Sequence, residues 1–191
     1  LPWLGLGILW GTDRLGADPL TALIQEIGLW ALNFLLLTLT ITPLRLITGW
    51  RDLNKRLKLR HILGLFAFLY SSLHLLAYLW FEHSFDLTLF IKDLSTRPPL
   101  LLGMCAFLLM LPLTITSHST IIKRLGTERW KHLHHLIYWI AIGSIGHFLW
   151  LAQSKADLQH PIIYAGILAF LLLLRFPPLL NRLTRKTPDQ F

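Results

Sequence analysis

Four histidines fall in two long apolar runs, His61 and His74 in one, His134 and His147 in the other. Both intervals are thirteen residues, which is about 20 Å of rise if each run is helical. An ionisable side chain inside hydrocarbon is expensive and by default marks a working site. If the two runs lie side by side in the same direction, His61 comes level with His134, and His74 with His147. Imidazoles approaching from opposite sides are the axial ligation of haem iron. Two such pairs would build two stacked sites, one near each membrane surface. There is a geometric obstacle, because thirteen residues leave two side chains roughly 140° apart around an ideal helix. Both pairs face across only if helices cross, bend or rotate, and Gly64, Gly143 and Gly146 are the candidates for that freedom.

The plainer account of each histidine stands beside this one. His61, His118, His132 and His135 fit a position among lipid headgroups. His83 and His160 fall in connections and are expected to be solvated. His74 and His147 sit too far into apolar sequence for that. Their alternatives are a hydrogen bond to a neighbouring helix or a proton relay.

The elements that must position these side chains are membrane helices. Of the 191 residues 54% are hydrophobic, mean hydropathy is +0.55, and the apolar residues come in charge-free blocks. These blocks are 27–44, 61–81, 98–122, 132–154 and 158–174, the last being the shortest. A span needs roughly 20 apolar residues, fewer with local thinning. The blocks lack the alternation of a membrane barrel. The opening LPWLGLGILW has neither a basic start nor a small-residue cleavage site, so it reads as the end of a first membrane helix rather than a signal peptide. The expected fold is all-α: a polytopic bundle of six transmembrane helices, the first partial, forming one domain over residues 1–191. Pro43 and Pro177 are expected near helix ends, and Pro112 is expected to kink the fourth helix.

The net charge of +8 does not indicate nucleic acid, because Lys and Arg cluster in short connections between apolar blocks. The stretches 45–60, 117–131 and the tail from Arg175 hold fourteen of them, against four (Arg14, Lys92, Arg97 and Lys155) in the alternate connections. That bias places the basic loops and both termini in the cytoplasm. Trp3, Trp10, Trp80 and Trp150 then fall near outer ends, as an aromatic belt would. Most of the basic residues are explained by this rule and by anionic membrane lipid. Cys105 is the single cysteine, so an intrachain disulfide is impossible. No Cys-x-x-Cys-His motif offers thioether attachment of a haem.

Short motifs run through the chain in order: Leu15-Gly16-Ala17-Asp18-Pro19, Ile41-Thr42-Pro43-Leu44, Leu63-Gly64-Leu65, Leu73-His74-Leu75, Thr96-Arg97-Pro98, Arg124-Leu125-Gly126, Trp130-x-x-Leu133-His134, Tyr138, His147-x-Leu149-Trp150 and Tyr164-Ala165-Gly166. Together they cover nearly the whole sequence. In them the chain resembles the MsrQ (formerly YedZ) family, haem-binding membrane subunits of bacterial methionine sulfoxide reductase systems, in the ferric-reductase-like membrane-domain group. The resemblance implies a b-type cytochrome of the bacterial inner (plasma) membrane with one or two haem b, two being preferred. It carries the iron ligands onto His74, His134 and His147. His61 stands where the family often has Arg, so the fourth axial ligand is open between His61 and another group. The resemblance also implies a periplasmic molybdopterin catalytic subunit (MsrP-like) that reduces oxidised methionine in proteins. The implied electron donor is the quinone pool or a cytoplasmic flavin reductase. FMN is implied by resemblance alone, for the sequence holds no flavin motif.

The leading expectation is therefore electron transfer across the membrane, with no catalytic residue of sulfoxide reduction on this chain. No thiol, carboxylate pair or nucleophile constellation suggests otherwise. A ferric reductase or quinol-oxidising cytochrome of similar build shares the ligand spacing. A proton-conducting or transporter bundle would use His74 and His147 as titrating groups, but no block contains the Asp or Glu that such relays usually include.

Overall fold

The computed structural model describes residues 19–48, 59–153 and 158–175, and all the regular structure among them is helical. In order the helices are α1 (Pro19–Thr48), α2 (Leu59–His83), α3 (Leu87–Thr96), α4 (Pro98–Ile115), α5 (Ser119–Leu125), α6 (Thr127–His134), α7 (Leu136–Gln153) and α8 (Gln159–Leu173). Four stretches are long and apolar enough to cross a bilayer: Pro19–Leu44, Leu59–His83, Pro98–Ile115 and Thr127–Gln153. The expected six spans are therefore four among the described residues. The partial first helix and both chain ends lie outside the described residues. The sixth block forms α8, whose 15 residues rise about 22 Å, short of a hydrocarbon core of about 30 Å.

The helices pack as two hairpins, α1 against α2 and α4 against α7. Leu32, Leu35, Leu36 and Leu39 of α1 meet Ala67 of α2, Met110 of α4 and Ile137, Ile140, Ala141 and Ile145 of α7, and α8 closes the group with Leu168 and Leu171. In lipid, helices associate through close packing and interhelical hydrogen bonds rather than through the hydrophobic effect. Both occur here. Gly143 of α7 lies over Ala106, and a Cβ on Gly146 would stand 2.9 Å from Leu102 Cδ2, so these glycines let α7 approach α4 closely. At these two positions the glycines serve close packing. Tyr164 of α8 donates to Asn33 Oδ1 of α1 at 2.9 Å. Arg175 donates to Tyr138 Oη at 2.7 Å and to the Leu39 carbonyl at 2.5 Å, tying the end of α8 to α7 and α1.

Large apolar side chains on the outside, such as Leu76, Trp139 and Phe170, are well exposed, which suits a lipid-facing surface. Hydroxyls such as those of Thr38 and Ser72 return to their own helix, donating to the Phe34 and Phe68 carbonyls, which satisfies them without a partner from outside. Pro112 lies in the last turn of α4, where Thr116 Oγ1 donates to its carbonyl at 2.6 Å.

Two local breaks matter for function. Between α2 and α3 the chain reverses through Ser84 and Phe85, both with positive φ (47° and 63°). This is an uncommon conformation for a side chain as bulky as Phe. The turn is fixed by Asp86, whose Oδ1 caps α3 by accepting from the N–H groups of Thr88 and Leu89 at 2.8 and 3.2 Å, as N-caps do. The second break is at His135, between α6 and α7. There the ladder tightens, with His135 N–H bonding to the His132 carbonyl and Tyr138 N–H to the His135 carbonyl, each at 3.1 Å. Such three-residue bonds change the angular advance of the helix. This break, and not a glycine, interrupts the helical ladder between His134 and His147. The segment carrying His61 and His74, by contrast, is one unbroken helix.

Candidate functional site

The structure brings His74 of α2 and His147 of α7 together. Their ring centroids are 6.3 Å apart and the ring planes are nearly perpendicular, at 85°. Each ring is fixed by a backbone carbonyl of the other helix in its own hairpin. His74 Nδ1 lies 2.9 Å from the Ile24 carbonyl of α1, and His147 Nδ1 lies 2.7 Å from the Pro99 carbonyl of α4. A carbonyl can only accept, so Nδ1 carries the proton in both rings and Nε2 carries the lone pair. Metal-binding imidazoles are held in this way, the second nitrogen donating to a carbonyl or carboxylate.

The spacing can be tested against haem iron. A metal–nitrogen bond of about 2 Å puts each ring centre about 3 Å from the metal, so two imidazoles on opposite sides of one ion sit about 6 Å apart. The observed 6.3 Å fits that requirement. The rings also rest on glycines. A Cβ on Gly28 of α1 would stand 2.9 Å from His74 Nδ1 and Cε1, and one on Gly103 of α4 would stand 2.7 Å from His147 Nδ1. The sequence marked neither glycine. Their signal was available only as a small residue within an apolar helix.

The other two histidines meet differently. His61 and His134 both line a cavity of about 420 Å³ beneath the deep pair, together with Arg60, Gly64, Trp130 and Thr114. That volume lies within the usual range for a bound small molecule or cofactor. Gly64 has nothing within 4 Å of a would-be Cβ and leaves the wall open. His134 Nδ1 lies 3.1 Å from the Trp130 carbonyl of its own helix. The Trp130 indole covers the imidazole at 4.1 Å between centroids and donates to the Thr116 carbonyl at 3.1 Å. His61 is exposed. So each expected pair shares a depth, but only the deep pair is in ring-to-ring contact.

His118, His132, His135 and His160 are exposed, in keeping with a headgroup or solvated position. His83 is not: expected in a solvated connection, it is buried at 9% exposure. The reversal at Ser84 and Phe85 folds it under α3, where its Nε2 lies 3.4 Å from Asp93 Oδ2. Tyr78 Oη donates to the same oxygen at 3.0 Å, and Arg97 Nε stands 3.4 Å from Asp93 Oδ1. Tyr78 is one turn from His74 on α2, so this polar group closes one end of the deep pair's surroundings. Among the described residues no cluster of three or more His, Cys, Asp or Glu is arranged to hold a bare metal ion.

Long apolar helices packed around a pair of imidazoles define a multi-pass membrane protein, and comparison with known proteins places it in a family. The family model for the ferric reductase like transmembrane component matches residues 27–145. A relative from Herminiimonas arsenicoxydans, called protein-methionine-sulfoxide reductase heme-binding subunit MsrQ, is 45% identical over 92% of this chain and 79% of its own length. MsrQ proteins of Azospira oryzae and Rhodospirillum rubrum are 49% and 41% identical, over 86% and 95% of this chain and 68% and 84% of their own lengths. No solved structure matches. The chain belongs to the ferric-reductase-like family of transmembrane components and, within it, to the MsrQ family.

Proposed function

We propose that this chain is the b-type cytochrome subunit of a methionine sulfoxide reductase system, carrying electrons through the bacterial inner membrane to a catalytic partner. The observation that carries the reading is the deep pair: two imidazoles 6.3 Å apart, each with Nδ1 fixed on a carbonyl and Nε2 left as the ligand atom. His74 and His147 would hold one haem b. His134, with His61 across the cavity, would hold the second. Bound haem supplies reversible one-electron exchange at iron. The chain's part would be to supply the ligand nitrogens, fix their orientation and keep water out with the apolar faces of α1, α2, α4 and α7.

The charge bias supports an orientation with the cavity end at the cytoplasm and the deep pair toward the periplasm. Electrons would then enter near His134, from the quinone pool or a cytoplasmic flavin reductase. They would leave beyond His74 and His147 to a periplasmic molybdopterin subunit, MsrP-like, that reduces oxidised methionine in proteins. The sulfoxide-reducing site is on that partner. We assign no residues to FMN. A proton relay is disfavoured by the anchors themselves. A relaying imidazole passes a proton between its two nitrogens, whereas Nδ1 of His74 and of His147 ends on a carbonyl that cannot take one up.

The test is spectroscopic. Protein purified from haem-replete cells should show a b-type spectrum that sharpens on reduction, with about two haems per chain by pyridine haemochrome assay. A colourless protein would sink the reading.

A further inference from the structure

Resting on the haem reading of the deep pair, we propose that Gly28 and Gly103 are positioning residues, two matching shelves that hold the His74 and His147 imidazoles in ligand orientation. In each hairpin the acceptor carbonyl stands four residues before the glycine: Ile24 before Gly28 on α1, Pro99 before Gly103 on α4. Residues four apart lie on one helix face. The imidazole therefore lies across the glycine and reaches the carbonyl one turn earlier. The same device occurs on both sides of the pair, although the two hairpins share no sequence repeat.

The space is tight. A Cβ on Gly28 would come within 2.9 Å of His74 Nδ1 and Cε1, and a Cβ on Gly103 within 2.7 Å of His147 Nδ1 and 2.9 Å of its Cε1. Both approaches are well inside the 3.5–4.0 Å at which non-bonded heavy atoms sit comfortably. The atoms met include Nδ1, which makes the carbonyl bond, and its ring neighbour Cε1, so a methyl group there displaces the anchored edge of the ring. Helix propensity argues the other way, since alanine is the better helix former. The ring contact decides the sign at these two positions. At Gly166, where nothing lies within 4 Å of a would-be Cβ, propensity acts alone.

The test compares Gly28→Ala, Gly103→Ala and the control Gly166→Ala in the purified full chain. Pushing Nδ1 off its carbonyl weakens the bond that makes the imidazole a stronger donor. The ferric state then loses stabilisation. In both shelf variants one haem should therefore show a midpoint potential shifted to more positive values and an altered low-spin electron paramagnetic resonance signal, while Gly166→Ala matches the parent. Parent-like potentials and signals in both shelf variants would overturn the proposal while leaving the haem reading intact. Loss of that reading would show instead as a parent protein without haem. If Gly28→Ala accumulates poorly, His74→Ala combined with Gly28→Ala should be at least as stable as His74→Ala alone, because the ring it displaces is gone and helix propensity favours alanine. A double variant that is further destabilised would show that the glycine serves something other than the ring, and would equally overturn the proposal.

Discussion

The two histidine pairs of this molecule are built on different principles. At the deep pair each ring is held from outside its own helix, by a carbonyl of the neighbouring helix at 2.9 or 2.7 Å. Its position is thus set by how the hairpin packs. At the cavity His134 is held by its own helix, through the Trp130 carbonyl and indole, and His61 is exposed. The deep site is preorganised by tertiary structure; the cavity site is preorganised on one wall only. Rigid support of ligand side chains governs how firmly a cofactor is held. On the two-haem reading proposed above, one haem would be tightly specified and the other would have a weakly specified second ligand.

The sharpest way to break this contrast is to remove a deep imidazole. His147→Ala and His74→Ala should each halve the haem content, from about two to about one per chain, by taking away one of two axial ligands. The remaining spectrum should be that of the cavity haem and should be the same in both variants. Full haem content in both would show that the deep pair does not coordinate.

The histidine spacing and the apolar blocks were legible in the sequence because they depend on residue type and on helix rise alone. The placing of His61 level with His134, and of His74 level with His147, followed from that rise. What the sequence could not show were contacts made by backbone. The acceptors at Ile24 and Pro99 are carbonyls, identical in every residue, so their side chains carry no trace of the role. The break at His135 was hidden because nothing in Leu133-His134-His135-Leu136 is a Gly or Pro. The burial of His83 is not legible in the sequence because it depends on the left-handed turn at Ser84 and Phe85, residues with no special preference for that conformation. Several motif pieces acquired reasons only in three dimensions: Tyr164 reaches Asn33, and Tyr138 receives Arg175.

A smaller effect is expected at the weakly held ligand. His61→Arg should alter the low-spin signal of the cavity haem and leave the deep haem, with its potential, untouched. The two sites are some thirteen residues of helix apart, about 20 Å, and share no anchoring residue. An unchanged cavity signal would remove His61 from coordination and leave His134 with another partner. A change at the deep haem would instead mean that the unbroken α2 couples the two sites mechanically.

The smallest effect should come from Trp130, which supports His134 in three ways: by carbonyl, by stacking and by its bond to Thr116. Trp130→Phe keeps the backbone carbonyl and an aromatic face but loses the indole N–H donated to the Thr116 carbonyl. One neutral hydrogen bond contributes about 0.5–1.5 kcal/mol, and an aromatic pair about the same beyond its buried area. The variant should therefore retain both haems and lose about 1 kcal/mol of stability in thermal unfolding. Any spectral shift should be confined to the cavity haem. Loss of that haem on so slight a change would mean that the indole and not the helix carbonyl fixes the His134 ring. The cavity pair would then depend on the Thr116 contact, a tertiary anchor of the same kind as those at the deep pair.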